Sequence, residues 1–340
     1  MGSYGVPIYY LLTHILKDDI VKPREISSYT LELGSKYSPD FVCTPFKYTL
    51  GTMLESLEDG ANFLIQLGGG CRYGYYHELQ EQILKDLGYQ FTMVNLISGG
   101  NRISIKKLLK EYSLEFRKKN LVKYLLITKK MVIYMDKIDT YIRKNRCYEK
   151  ELGTFNKLRD DMLTEFSNCK SYIHLYRIYR KYLKKMKNIP RRNVDKKIKV
   201  GIIGELYTLM EPKANEEIEQ LLNERGIELK RYTNVTYLLF QKRKSVKKYL
   251  KNFFIKYRMG ADALDNIHHT KELCEKGYDG IIHMKSSFCT PEIGAMPIIE
   301  SVAQEYNVPV LFFSMDTHTS ETGFLTRIEA FCDMLEMRKS

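Results

Sequence analysis

From Lys197 onward, short apolar runs alternate with helix-length amphipathic intervals, and this alternation limits the chain to a narrow set of folds. Ile198–Gly204 reads as a strand ending in a turn, and Ala214–Arg225 as a helix stopped by Gly226. Glu228–Tyr232 and Gly280–Met284 are further strands, separated by a helical interval that includes Ala261–Lys276. Met296–Tyr306 precedes a last strand, Val308–Met315, and Phe324–Met337 is a closing helix. Strands interleaved with helices predict parallel βαβ units and a doubly wound sheet.

The first hundred residues repeat the theme. Phe41–Cys43, Phe63–Leu67 and Phe91–Leu96 are candidate strands, with Phe46–Leu57 and Tyr75–Leu87 as helices between them. Residues 103 to about 189 carry no strand pattern and read as several helices, closed by Pro190-Arg191-Arg192-Asn193. We therefore expect an α/β protein of two Rossmann-like lobes with parallel sheets facing a central cleft, joined by a helical segment. The boundaries are 1–101 for the first α/β lobe, 102–193 for the helical insert and linker, and 194–340 for the second α/β lobe.

Three cysteines stand where this pattern concentrates function. Cys43, Cys71 and Cys289 each follow an apolar run and precede a turn and helix, and ligands bind beyond the carboxyl ends of strands in open parallel sheets. Thr44-Pro45 and Thr290-Pro291 follow two of them, and proline suits the first helical positions. Each Cys-Thr-Pro is then a strand-to-helix corner, where the helix amino terminus is expected to lower the thiol pKa. Gly68-Gly69-Gly70 before Cys71 permits positive φ and close approach of a bulky ligand, which marks Gly69 and Gly70 as cofactor-binding candidates. Spacing alone leaves zinc, copper(I), iron–sulfur ligation and plain buried thiols open, because three separated cysteines with no close pair fit no single pattern.

Composition narrows the setting. The seven cysteines include no Cys-x-x-Cys pair, no apolar run approaches the ~20 residues needed to span a bilayer, and no leader-like segment is visible. We expect a reducing, cytoplasmic location without membrane association. The net charge of +13 is concentrated between Arg102 and Lys199, where Lys106, Lys107 and Lys110 recur at helical spacing among Ile105, Leu108 and Leu109. That describes a solvated basic helix face; docking of an acidic protein or phosphorylated ligand is the alternative, and nucleic acid is not the expected partner. No Gly-Lys-Ser/Thr phosphate loop occurs, so ATP, if involved, belongs to a partner.

The motifs themselves carry a resemblance. Phe41-Val-Cys43-Thr-Pro-Phe-Lys-Tyr-Thr-Leu-Gly51, Gln66-Leu-Gly-Gly-Gly-Cys71-Arg-Tyr-Gly-Tyr-Tyr76 and His283-Met-Lys-Ser-Ser-Phe-Cys289-Thr-Pro-Glu292 resemble the cysteine motifs of the 2-hydroxyacyl-CoA dehydratase family, in particular its acyl-CoA dehydratase activase-related branch. Lys199–Tyr207 with Met210-Glu-Pro212, and Phe313–Gly323, resemble that branch too. The resemblance covers nearly the whole chain outside the helical middle; residues before Ser38 carry no motif that aligns, so an edge strand of the first lobe is expected to be missing or altered.

The resemblance implies a 4Fe–4S cluster, or a double-cubane cluster in some relatives, held by Cys43, Cys71 and Cys289. It implies low-potential electrons delivered by a separate ATP-hydrolysing iron–sulfur activator, a homodimer or a heterodimer with a related subunit, and an acyl-CoA substrate. The activity would be that of a lyase dehydrating a 2-hydroxyacyl-CoA, or of a reductase component acting on a small substrate. A non-catalytic electron-transfer subunit using the same cysteines is a second reading, and a basic α/β module binding nucleic acid or an acidic protein, with Lys106–Lys185 as its face, a third.

Other residues are weighed on their own chemistry. Glu205 and Glu211 flank a strand-end turn, where an acid or base would sit but where a helix cap or salt link would serve equally. Asp316 and Thr319, in the polar loop after the last strand, are placed to hydrogen-bond substrate or the cluster surroundings; Glu205 and Asp316 are the catalytic candidates. Arg72 would offset the charge of a thiolate-ligated cluster. Cys147, Cys169, Cys274 and Cys332 are assigned as core or surface thiols, and His268-His269 to the surface, since adjacent helical residues point apart.

Overall fold

The computed structural model describes residues 2–98, 101–102, 117, 120–195, 197–241 and 259–340. The basic stretch with Lys106, Lys107 and Lys110 lies outside the described residues.

A four-stranded parallel sheet forms the larger framework. Its strands are β5 (Lys199–Gly204), β6 (Glu228–Arg231), β7 (Gly280–Ser286) and β8 (Val310–Met315), in the order β6-β5-β7-β8. All three pairings are parallel. Side-chain alternation divides the strands between two cores, as a period of two requires. Val200, Ile202, Ile282, Met284, Phe313 and Met315 enter one core, while Ile203 and Ile281 enter the other. Every residue of β7 is buried, as expected of a central parallel strand covered on both faces.

The helix Glu321–Arg338 packs on the first of these faces, and so does the helical middle: Leu121–Asn145, Thr154–Ser167 and Tyr172–Lys187. Ala263–Glu275 and Thr290–Glu305 cover the other face. The amino-terminal helix Gly5–Ile15 also joins the larger core, with Tyr10 donating to the Cys169 carbonyl at 3.0 Å. Ionic contacts tie the helical middle to β6: Glu219 accepts from Arg143 at 2.8 Å and pairs with Arg231 at 2.7 Å.

The remainder of the first hundred residues makes a smaller unit. The helices Ser28–Tyr37 and Thr44–Glu58 pack against each other at paired glycines: a Cβ on Gly34 would lie 1.8 Å from the Lys47 carbonyl oxygen, and one on Gly51 would lie 1.9 Å from that of Thr30. The first of these helices starts with a capping box, Ser27 and Thr30 each accepting from the other's backbone N–H. The strands β1 (Phe63–Gln66) and β2 (Thr92–Asn95) pair in parallel, linked through the helix Tyr76–Asp86. A two-residue antiparallel ladder, β3 (Ile97–Ser98) with β4 (Asn101–Arg102), follows. Phe46, Leu50, Leu54, Leu64, Leu84 and Met93 form the core of this unit.

The chain is thus mixed α/β with parallel sheets. One expected strand is corrected: Phe41–Cys43 is a turn, because Pro39 and the helix ending at Tyr37 leave only a short corner before Thr44, and Phe41 stays 76% exposed. Before Ser38 the described chain forms the helices Gly5–Ile15 and Ser28–Tyr37, joined by irregular backbone. No helix among the described residues is long and apolar enough to cross a membrane.

Candidate functional site

In the order β6-β5-β7-β8 the chain reverses direction across the sheet between β5 and β7, and the crevice at such a switch point is where ligands bind in open α/β sheets. Gly204 ends β5 there with φ +142°, and a Cβ on it would sit 1.8 Å from the Met284 carbonyl oxygen. Only glycine lets the two strand ends approach this closely. Glu205, next along, donates its backbone N–H to that same carbonyl at 2.8 Å. Beyond β7, the chain turns at Ser287-Phe288 into Cys289.

All three cysteines occupy the residue before a helix. Cys43 precedes Thr44–Glu58 and Cys289 precedes Thr290–Glu305, each with proline in the first turn, and Cys71 precedes the 3-10 turn Arg72–Tyr75. Their turns interlock. Thr44 donates its N–H to the Ser286 hydroxyl at 2.8 Å, shares a 2.9 Å bond with it through Oγ1, and donates to the Met315 carbonyl at 3.1 Å. Arg72 reaches from the Cys71 turn to the Phe288 carbonyl at 2.6 Å, and Phe41 meets Phe288 edge-on at 5.7 Å. The sulfur of Cys43 lies 2.7 Å from the Tyr76 hydroxyl.

Electrostatics give the same grouping. Burial pushes all three thiols up, Cys43 to about 11 and Cys289 further, and the Glu205 carboxylate adds to the rise at each. Cys43 is also raised by Cys71, and Cys289 by Cys43. Backbone N–H groups of Phe46, Tyr73 and Glu292 oppose the shift, as helix starts should, but burial outweighs them. The expected lowering of thiol pKa is therefore overturned for the free thiols; a cationic partner would be needed to ionise them at neutral pH.

Glu205 is itself raised to about 7 by burial, against hydrogen bonds from Thr208 and Tyr207. It caps Leu206–Met210, accepting from the backbone N–H groups of Tyr207 and Thr208 at 2.8 and 2.9 Å and from the Thr208 hydroxyl at 2.7 Å. Asp316 accepts from Ser287 Oγ at 2.9 Å and from the His318 N–H at 2.8 Å. Burial acts upward on it, yet these bonds and Thr319 hold its carboxyl below the usual range. Glu211 caps the turn Pro212–Ala214 and accepts from the Gly2 N–H at 2.7 Å.

Neither Gly69 nor Gly70 has positive φ; a Cβ on Gly70 would meet nothing within 4 Å, whereas one on Gly69 would press on Tyr73 at 3.1 Å. Cys147, Cys169, Cys274 and Cys332 are buried thiols. His269 is buried and stacked on Tyr232 at 4.3 Å, which corrects its expected surface location: it faces inward from Ala263–Glu275.

Four buried groups beside the cysteines escaped the sequence reading. Lys285, 3% exposed in β7, is lowered by burial against the upward pull of Cys289 and Glu292. His283 Nε2 lies 2.8 Å from Glu292 Oε2, and Asn266 donates to the same carboxylate oxygen at 2.9 Å while also bonding both backbone groups of Gly204. The available signal was a lysine and a histidine inside an otherwise apolar strand.

Among the described residues, no three or more His, Cys, Asp or Glu side chains converge to hold one metal ion. A single-ion shell draws sulfur to about 2.3 Å from the metal, whereas an iron–sulfur cubane is gripped at separate corners and spaces its thiolates more widely. Three thiols on separate interlocked turns, outside any disulfide, suit the second kind of group chemically.

Residues 104–335 match the family model described as 2-hydroxyglutaryl-CoA dehydratase, D-component. The match spans well over half the chain, which therefore belongs to this family. The matched span holds Cys289, Glu205, Asp316 and the helical middle, where no motif was read; Cys43 and Cys71 lie before it. No curated protein matches the chain.

Proposed function

We propose that this protein is an iron–sulfur component of a 2-hydroxyacyl-CoA dehydratase-type system, with Cys43, Cys71 and Cys289 holding a 4Fe–4S or double-cubane cluster. The family supports the system, and one observation supports the ligands: three helix-start thiols from distant segments sit on turns that bond one another, Thr44 to Ser286 and Arg72 to the Phe288 carbonyl. When bound, such a cluster supplies one-electron chemistry at low potential. In this reading the chain is built of two Rossmann-like lobes, residues 1–101 and 194–340, with residues 102–193 as the helical insert. Its partners are an ATP-hydrolysing activator and a second subunit, like or related, in a reducing cytoplasmic setting.

The chain's own residues have defined work here. Thr44, Ser286 and Arg72 fix the three cysteine turns relative to one another. Glu205, poised near neutrality, holds or releases a proton at its carboxylate beside the sulfurs, where a departing hydroxyl group of a 2-hydroxyacyl thioester needs one. Asp316 stays ionised and orients the Ser287 hydroxyl, and Gly69 and Gly70 leave room against the Cys71 turn.

Anaerobic purification followed by iron and sulfide analysis tests the proposal. About four irons or more per chain are expected, together with a brown colour, and changing any one of the three cysteines to serine should remove most of the iron. A colourless, iron-free anaerobic preparation would end this reading. Iron without turnover, when activator, ATP, reductant and 2-hydroxyacyl-CoA thioesters are supplied, would reassign the chain as an electron-transfer subunit.

A further inference from the structure

The outer edge of the sheet carries a second concentration of chemistry, lined neither by the three cysteines nor by Glu205. Two cavities of about 180 and 340 Å³ lie side by side there and share Lys144 and Glu228 in their walls. The smaller is walled by Arg143, Lys144, Lys230, Arg231 and Lys276, with Glu228 as its one acidic residue. The larger adds Arg191, Arg192 and Lys197 and brings no further acid.

Local pairing does not neutralise this charge. Arg143 and Arg231, only 4% and 7% exposed, share the single carboxylate of Glu219. Nη1 of Arg143 and Nε of Arg231 are left as buried donors with no hydrogen-bond acceptor among the described residues. Arg191 bonds the Asn145 amide oxygen, and Arg192 bonds the carbonyls of Cys147 and Glu224, all neutral acceptors. Lys276 is matched by Glu272, but among the described residues Lys144 and Lys230 have no ion pair. The Lys230 ammonium is held below its usual range by burial and then by Lys276, with Arg143 and Lys144 adding to the repulsion. Clustered cations around one concave space repel one another unless an anion enters.

From this arrangement we infer that the β6 groove binds a compact polyphosphate anion, such as the diphosphate of a nucleotide. Guanidinium forks and lysine ammonium groups arranged around a concave space recognise phosphate oxygens through charge-assisted hydrogen bonds. The enclosure, a few hundred cubic ångströms, suits a small ligand rather than a nucleic-acid duplex or a protein face. The groove shares no lining residue with the cysteine turns, so its ligand is read as distinct from any group those turns hold.

Calorimetric titration of the full-length protein, purified anaerobically, with inorganic pyrophosphate and separately with ADP at low salt is the test. Saturable binding at one site per chain is expected, and Lys144→Gln and Lys230→Gln should each weaken it about tenfold. Lys85→Gln, on the distant helix Tyr76–Asp86, should leave it unchanged. Tighter binding of ADP would assign the site to nucleotides, and equal binding to the polyphosphate itself. Circular dichroism melting checks that the variants remain folded. The inference is overturned if neither anion binds at concentrations up to about 1 mM, if the groove variants bind as the parent does, or if all three lysine variants weaken binding alike.

Discussion

The sheet β6-β5-β7-β8 is buried by helices on both faces, whereas the β1–β2 pair has one small core and leaves Ile65 and Leu67 40% and 53% exposed. Two parallel strands make a weak sheet by themselves. The smaller unit is therefore held partly by what it leans on: the cysteine turns meet the larger one through Thr44 to Ser286 and Met315 and Arg72 to Phe288, and Tyr48 stacks on Tyr207 at 5.8 Å beside them. Cys289 is set by a rigid framework, while Cys43 and Cys71 are set by a seam. Anything that loosens the seam should disperse the three sulfurs before it unfolds the sheet.

The largest effect is expected from alanine at the two kinds of glycine. Gly204→Ala, with positive φ and a backbone oxygen in its way, should cost about 3 kcal/mol or more, or abolish folding, in chemical denaturation. Gly51→Ala forces only the Ser28–Tyr37 and Thr44–Glu58 helices apart and should cost about 1–3 kcal/mol. Hydrogen exchange should then quicken in those helices while β5 and β7 stay protected. Equal quickening in β5 and β7 would mean that the two regions are one cooperative unit.

A smaller change targets the seam alone. Thr44→Val keeps the shape and the backbone N–H bond to Ser286 but removes the hydroxyl's bonds to Ser286 and to the Met315 carbonyl, which still accepts from the Ser287 N–H, a loss of about 0.5–1.5 kcal/mol. Iron content after anaerobic reconstitution should fall further than that stability loss alone would suggest. Full iron loading in this variant would show that the seam does not set the sulfurs.

The smallest expected effect is a change in the shape of a pH curve. Glu205 is raised in the folded state from an ordinary 4.5 to about 7, so folding favours its protonated form. Its stabilising contribution is complete below pH 4.5 and is lost as pH rises through 7. In metal-free protein, melting temperatures between pH 4.5 and 7.5 should decline more steeply for the parent than for Glu205→Gln. Parallel curves would remove Glu205 from the group of residues poised near neutrality.

Much of the larger sheet was legible because short strand-like runs at helix-length intervals leave parallel packing as the way to bury them. β5 to β8 fall within a residue or two of their expected places, and both Cys-Thr-Pro corners start helices as proline at that position suggests. Phe41–Cys43 misled because three apolar or extended-looking residues carry no information about whether a sheet partner exists. The buried His283–Glu292–Asn266 contacts and Lys285 were hidden for a related reason: polar residues in strands are recognised as partners only when the elements opposite them are known.

By itself, then, the sequence determined local matters: where helices start, which runs are strands of the larger sheet, and which thiols stand at corners. The tertiary structure decided which corners meet, that burial rather than the helix terminus governs the thiols' protonation, and that basic residues distant in the chain line one groove. Backbone preference acts over a few residues, whereas desolvation and Coulomb interaction depend on neighbours that folding alone supplies.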